Sequence, residues 1–420
     1  MVKKMNKAIC ISMMTGMIGA ASVMPFSDVA STASAKTLYI VKSGKLICAK
    51  TGKTVKGYKV YNSILYKDGK KYSGVYKGYQ YKSGKKLTGA YKGNQYKSGK
   101  KLTGAYLGIQ YKTGKKYTGT KDGISYKDGK VVSAKDVNKV DKSAIVYVQD
   151  KNLLNSLNDI LGHKNLSQNI KVADLRSLKG TLFLNGDTDE RETFGMFDIE
   201  NIQPLAFCTN ISELAIANNA IHNLSPLSKL TNLKKLDIRF NNLQSIDSLE
   251  KLVNLTELKV SGNTLKDVMI VRNMTNLQVL DAWNNKIENL EGIGQLSKLE
   301  TLNLNDNKIK DISEIAHLTN LKELNLSNNM VKDIRKLSES KNLETLYLSY
   351  NSIFSVEGVE ALTHLQTLYV NNNYLTSMES LAKVPTLTTL HIEENEILVA
   401  DILPSETWPS MQDYVNDFNK

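Results

Sequence analysis

Two periodic series of side chains carry the chemistry open to this chain. Asn219, Asn241, Asn263, Asn285, Asn307, Asn329, Asn351, Asn373 and Asn395 recur every twenty-two residues, while Tyr66, Tyr81, Tyr96, Tyr111 and Tyr126 open a Tyr-Lys-x-Gly-Lys motif every fifteen. A primary amide both donates and accepts hydrogen bonds, so a column of amides can satisfy backbone groups that a bend leaves unpaired. Tyrosine beside lysine offers an aromatic face and a cation, which suit a sugar ring and an anionic group respectively. Neither series is a reaction centre. His163, His222, His317, His364 and His391 are scattered, with only His391 on the strand face described below. No His-Glu-x-x-His run, phosphate loop or Ser/His/Asp set stands out, and the adjacent Glu393 and Glu394 diverge on a strand. Three cysteines supply neither a disulfide framework nor a four-cysteine zinc site. The expectation is a protein that is not an enzyme, with no metal and no cofactor.

Charge divides the chain as sharply as periodicity does. Residues 36–140 hold 26 Lys against 4 Asp, whereas 141–420 hold 26 basic against 37 acidic residues. Of 20 tyrosines, 14 lie between Tyr39 and Tyr126. Residues 1–35 read as a signal peptide, since Lys3, Lys4 and Lys7 precede an uncharged stretch and Ala33-Ser34-Ala35 offers small residues for cleavage. The competing reading is an uncleaved anchor, against which the short, Met/Gly/Ala-rich stretch argues. The expected mature protein is secreted or extracellular, associated with the cell wall, monomeric and without a transmembrane span. Its two remaining thiols, Cys48 and Cys208, are expected to stay separate, with Cys208 buried.

Strict fifteen-residue periodicity over 36–140 predicts an array of identical small units. Asp68-Gly69, Ser83-Gly84 and Ser98-Gly99 are tight-turn dipeptides, so each unit reads as two short strands in an all-β hairpin ladder, with 39–65 a degenerate copy. Few aliphatic residues are available, so tyrosine rings must supply much of the core. Three roles compete: binding an anionic polymer or glycan of the cell envelope through the five motif tyrosines and their lysines, binding single-stranded nucleic acid, and serving as a solvated spacer. Secretion argues against nucleic acid. The repeats loosely resemble the aromatic and glycine repeats of bacterial choline- and glucan-binding wall modules, but no Trp occurs between 36 and 140, which puts a choline ligand in doubt.

The twenty-two-residue period predicts a different object. Leu321-x-x-Leu324-x-Leu326-x-x-Asn329, followed by Val331, Ile334 and Leu337, is a leucine-rich repeat. It implies an α/β solenoid, a horseshoe with a parallel β-sheet, with the Asn column bridging coil to coil. Open ends need covers. At one end, Asp150 can cap a helix carrying Leu153, Leu154, Leu157, Ile160 and Leu161 that stops at Gly162, and a second helix is predicted over Val172 to Leu178. The expected segments are a helical cap with an irregular first repeat over 146–210, nine Asn coils over 211–395 and a closing cap over 396–420. Residues 146–420, with Leu205-Ala206-Phe207-Cys208-Thr209-Asn210 at the cap junction, resemble the bacterial internalin-type leucine-rich repeat domains. That resemblance implies an extracellular recognition protein of the adhesin type.

Side chains between and just after the core positions of each strand face the concave surface. That column reads Lys235, Asp237, Arg239 and Phe240; Asp281 and Trp283; Asn303, Asn305 and Asp306; Glu323, Asn325 and Ser327; Tyr347, Tyr350, Tyr369, Asn371 and Asn372; then His391, Glu393 and Glu394. Exposed aromatics on a rigid sheet are effective interface anchors. Tyr347, Tyr350, Tyr369 and His391 are the first candidate site for a protein partner, and Arg239, Phe240 and Trp283 the second. The alternative is an envelope spacer without a soluble ligand.

Overall fold

A computed structural model of the chain describes residues 39–43, 45–48, 58–61, 64–67, 70–71, 73–76, 79–83, 85–86, 88–91, 94–97, 100–186 and 198–397. The expected leader over 1–35 and the closing cap over 396–420, with Trp408, Tyr414 and Phe418, lie outside them apart from Glu396 and Ile397. Two compact units divide the chain, one formed by the repeats up to Thr120 together with Tyr126–Lys130, the other by Lys121–Ser125 and the chain from Val131 onward.

The first unit is all antiparallel β. Each fifteen-residue repeat makes three strands where the sequence suggests two: Gly74–Tyr76, Tyr79–Lys82 and Lys85–Lys86 in one, Gly89–Tyr91, Asn94–Lys97 and Lys100–Lys101 in the next, Gly104–Tyr106, Ile109–Lys112 and Lys115–Lys116 in a third. The third strand forms because the turn is only two residues long, which folds the Lys-Lys pair directly back on the tyrosine. Both turn residues are left-handed, as in Thr113 (φ 52°) and Gly114 (φ 83°), the geometry that matches strand twist in a two-residue hairpin. A hydroxyl ten residues upstream steadies the turn, with Thr103 Oγ1 accepting from the Thr113 amide at 3.0 Å and Thr118 Oγ1 from Asp128 at 3.0 Å. Successive repeats then join backbone to backbone: Gln110 N donates to Gly129 O at 2.8 Å and Gly129 N to Tyr117 O at 2.7 Å. Upstream, Tyr39–Lys42, Lys45–Cys48, Lys70–Lys71, Ile64–Lys67 and Tyr58–Tyr61 lie side by side in a five-stranded sheet.

The second unit is a solenoid whose ten parallel strands run from Gly180–Phe183 to Thr389–His391 in chain order. Most are only three residues long, with the central one buried. Leu236, Leu258, Leu280, Leu302, Leu324, Leu346, Leu368 and Leu390 therefore stand in register from coil to coil. Single turns of 3-10 helix, such as Ser313–His317 and Arg335–Glu339, return the chain to the next strand. At the amino end lie α1 (Lys151–Ile160) and α2 (Val172–Ser177). Asp150 caps α1 with Oδ1 on the Asn152 and Leu153 amides, while its Oδ2 accepts from Glu200 N (2.8 Å) and Asn201 N (3.2 Å), pinning the approach to the first regular coil. Asn158 is fully buried, its amide donating to the Leu154, Leu166 and Gln168 carbonyls. Cys208 is enclosed in the cap junction, where burial pushes its thiol up to about 12, leaving a small apolar side chain rather than a nucleophile.

Candidate functional site

The asparagine column is what makes the strand face rigid. Each member works across two coils: Asn307 Nδ2 donates to Leu304 O (3.0 Å) and Asn305 O (3.1 Å) of its own turn and to Ala282 O (3.1 Å) of the preceding one, while Oδ1 accepts from Ile287 N at 2.9 Å. The pattern holds from Asn219, which reaches back to Leu184 O and Ile199 N, to Asn395, which reaches Val370 O and Leu375 N. Asn241, Asn263, Asn285, Asn329, Asn351 and Asn373 repeat it between these ends. The backbone just before each amide is left-handed, through Asn218, Gly262, Asn284, Asp306, Asn328, Asn372 and Glu394. Two coils place an aromatic at this corner instead, Phe240 (φ 50°) and Tyr350 (φ 56°). For a bulky side chain that conformation costs on the order of 1–3 kcal/mol.

On this frame the first candidate cluster divides. Tyr347, Tyr369 and His391 stand across neighbouring strands as one stack, with ring centroids 4.9 Å apart at 25° and 4.2 Å apart at 10°. Their faces cover one another, so the stack presents ring edges, two phenol hydroxyls and an imidazole to the concave surface. Burial, with Glu323 and Tyr369 nearby, raises the Tyr347 hydroxyl above the usual tyrosine range. The phenol stays neutral and able to donate. Glu393 sits 3.8 Å from His391 Nδ1. Tyr350 lies at the left-handed corner three residues beyond Tyr347 and is 57% exposed.

The second candidate cluster is closely packed. Phe240 meets Trp283 edge to face at 5.5 Å and 75° although a coil lies between them. That intervening coil carries Gly262, where a Cβ would fall 2.3 Å from the Phe240 ring. Arg239 is held by its own strand, with Nε 3.0 Å from Asp237 Oδ1 and Nη2 2.7 Å from Oδ2. The Asp237 hydrogen bond, with Asp281 and Glu257 nearby, raises the guanidinium further above its normal value.

The expectation for the basic repeats needs correction. Tyr66, Tyr81 and Tyr96 are 2%, 9% and 7% exposed, and Tyr111 and Tyr126 are half-buried, so the motif tyrosines form the core rather than an open stacking surface. Register supplies the reason. Tyr81, Tyr96 and Tyr111 sit on central strands directly opposite Gly74, Gly89 and Gly104, whose missing side chains leave room for the ring. The exposed chemistry is the lysines, several of which lie over half-buried tyrosine faces: Lys86 Nζ is 3.8 Å from the Tyr79 ring centre, and Lys112 is 5.9 Å from Tyr117.

Three features escape a reading of the sequence by column. A second amide series, Asn210, Asn232, Asn254, Asn276, Asn320 and Asn342, runs along the edge where the chain enters the strands, each donating to a carbonyl of the preceding coil, as in Asn232 Nδ2 to Thr209 O at 2.9 Å. Its twenty-two-residue spacing was available as a signal. Beside it runs a polar groove of about 450 Å³ lined by Lys298, Glu300, Lys322, Glu344 and His364. Phe354 and Tyr374, both exposed, stack at 5.4 Å on the other side of the Asn column, where no strand period marks them. The third is a pair of buried polar atoms that make no hydrogen bond, Ser261 Oγ and Asp281 Oδ1. Among the described residues, no three His, Cys, Asp or Glu side chains gather as a metal site would require, and no helix is long and apolar enough to cross a membrane.

Comparison with known proteins agrees with the architecture. Residues 231–268, 275–317 and 319–364 match the family described as leucine-rich repeats (2 copies), so the solenoid is a leucine-rich repeat array. Solved structures similar to the chain include two proteins of Listeria monocytogenes str. 4b F2365. One is an internalin (inlF), with 22% identity over 62% of this chain and 94% of that one at a TM-score of 0.35. The other is internalin C2 (inlC2), with 24% identity over 58% and 93% at a TM-score of 0.43. The functional domain of InlJ from Listeria monocytogenes, which includes a cysteine ladder, is 20% identical over 62% and 63% at a TM-score of 0.45. No curated protein matches the sequence. The resemblance to internalin-type repeats rests on the twenty-two-residue period and its asparagine column.

Proposed function

We propose that the leucine-rich repeats are the recognition half of a secreted, wall-associated adhesin-like protein and bind a protein partner through the concave strand face. The observation that carries this reading is the aromatic row Tyr347–Tyr369–His391, fixed on adjacent strands and extended by exposed Tyr350. Its side chains are already ordered by stacking, so little conformational entropy is lost when a partner covers them. Arg239, Phe240 and Trp283 form a second anchor toward the amino end of the same sheet. Replacing Tyr347, Tyr350 and Tyr369 together by Ala tests the assignment: capture of a partner cross-linked from intact cells is lost while the unfolding midpoint hardly moves. Unchanged capture by that variant places the interface elsewhere.

The basic repeats are proposed to hold the chain to an anionic envelope polymer through lysine rather than through tyrosine faces. Lys82, Lys97, Lys112 and Lys127 are exposed at the same position of successive motifs, a regularly spaced row of cations. Sedimentation of the whole chain with purified walls is expected to fall as salt rises toward 1 M, because exposed charges are screened over about 3 Å there. Glutamine at those four positions is expected to produce the same loss at low salt, and salt-independent sedimentation would exclude the electrostatic tether.

A further inference from the structure

The patch around Trp283 holds more unsatisfied chemistry than its aromatic anchors explain. Strand alternation sends Leu258 and Val260 into the core and Lys259 and Ser261 to the concave side. Backbone bonds from Phe240 N to Ser261 O and from Gly262 N to Trp283 O set Arg239, Ser261 and Trp283 at equivalent places on three successive coils. Ser261 is nonetheless 0% exposed, and its Oγ makes no hydrogen bond; the same is true of Asp281 Oδ1, one strand over. Phe240, in its costly left-handed corner, projects its ring across Gly262, the residue after Ser261, to Trp283, two residues beyond Asp281.

No base makes a direct ion pair with Asp281, although Arg239, held by Asp237, is near enough to feel its charge. Lys235 lies between Glu213 (3.9 Å) and Glu257 (3.7 Å), Lys259 is 2.6 Å from Glu257, and Arg239 is held in a two-point contact by Asp237. Each base is committed to another acid. Asp281, flanked on neighbouring strands by Lys259 and Asn303, has no ion-pair contact. A buried carboxylate oxygen and a buried hydroxyl without partners are costly to leave unpaired, and both accept hydrogen bonds from a cation. The Trp283 and Phe240 rings on the same stretch of sheet favour the same guest, because a cation is drawn to an aromatic face.

We infer that this patch is a subsite for a basic side chain, arginine or lysine, of the protein partner. The guest's cationic head pairs with Asp281 and donates to Ser261 Oγ, and its stem lies against Trp283 once the Phe240 ring moves off Gly262. The subsite rests on the concave-face reading and gives the partner a chemistry: a positively charged residue placed to enter between the third and fifth strands of the solenoid.

The probes are N-acetyl-arginine methylamide and N-acetyl-lysine methylamide, with N-acetyl-glutamate methylamide as control, added to the whole chain carrying Trp408→Phe so that Trp283 alone reports. The basic probes are expected to give a saturable change in emission and the glutamate probe none. Asp281→Asn, which keeps the shape and removes the charge, is expected to weaken the basic probes about tenfold or more. Phe240→Asn, which gives the corner a residue used at the same place in other coils, is expected to tighten them by uncovering the subsite. Equal response to all three probes, or an Asp281→Asn variant with undiminished affinity, overturns the inference. A random-peptide display selection on the whole chain separates it from the broader reading. Enrichment of Arg or Lys that Asp281→Asn abolishes supports the subsite. Binders that map to the concave face without a basic preference overturn the subsite alone, and binders that all map elsewhere overturn both readings.

Discussion

The two repeat arrays solve the same problem with opposite materials. In the leucine-rich coils the core is aliphatic and continuous, and the polar groups left over at each bend are satisfied by one buried side-chain amide per coil. In the basic repeats aliphatic residues are scarce, tyrosines fill the core, and the bend is closed mainly by backbone, through two left-handed turn residues and the bonds of Gln110 and Gly129, with one exposed hydroxyl steadying each turn. Each array is thus locked by one residue type that nothing else can replace, asparagine in the first and turn glycine in the second. The difference lies in what a replacement leaves behind: unpaired buried polar groups in one case, and a steric clash in the other.

Removing an amide is therefore the most damaging single change. Asn307→Ala strips a donor from the carbonyls of Ala282, Leu304 and Asn305 and an acceptor from Ile287 N, all inside a packed array. At about 1–3 kcal/mol for each buried group left without a partner, partly offset where water reaches them, a loss of about 3 kcal/mol or more is expected from urea unfolding followed by circular dichroism. Gly129→Ala is next. The new Cβ would lie 2.4 Å from Ile109 Cγ2 and 2.5 Å from Gln110 O, at a φ of +76°. Strain on the order of 1–3 kcal/mol is expected, read as an earlier tyrosine-fluorescence transition with the leucine-rich repeat transition unmoved. If Gly129→Ala cost more than Asn307→Ala, the contrast between the arrays would have to be reversed.

Much of this was legible in sequence because both periods are set by residues with no substitute. Asn219 to Asn395 announce the ladder, and Asp150 with the leucines of α1 announces the helical cap. Orientation was harder to read. A tyrosine at a fifteen-residue spacing has the same pattern whether its ring faces core or solvent; the burial of Tyr81 and Tyr96 depends on Gly74 and Gly89 standing opposite, a register that appears only once the turn is placed. Tyr347, Tyr369 and His391 were foreseeable as a column because the period is the coil itself. The packing of Phe240 on Trp283 was not, since it depends on the Phe240 ring reaching across Gly262 to the next coil but one.

Within the leucine-rich array the same contrast can be followed toward its weak end. Asn232 also bridges coils, donating to Thr209 O at 2.9 Å, but it is exposed, so water can take its place. Asn232→Ala is expected to cost about 0.5–1.5 kcal/mol, the net worth of an ordinary hydrogen bond. A cost equal to that of Asn307→Ala would show that bridging, rather than burial, is what matters. Weakest of all is the exposed pair of Asp333 and Arg335, 2.6 Å apart. Hydrogen bonds from the Arg335 side chain and backbone lower the Asp333 carboxyl from 3.8 to about 2. Because the folded value is the lower one, the pair's contribution is present above pH 3.8 and is lost as pH falls through about 2. Solvent screening at this exposed site limits it to a few tenths of a kcal/mol. Asp333→Asn should therefore leave stability at neutral pH almost unchanged and flatten the acid limb of the stability curve slightly near pH 3. A larger effect would mean that a charged pair in water can do what the array otherwise reserves for amides out of it.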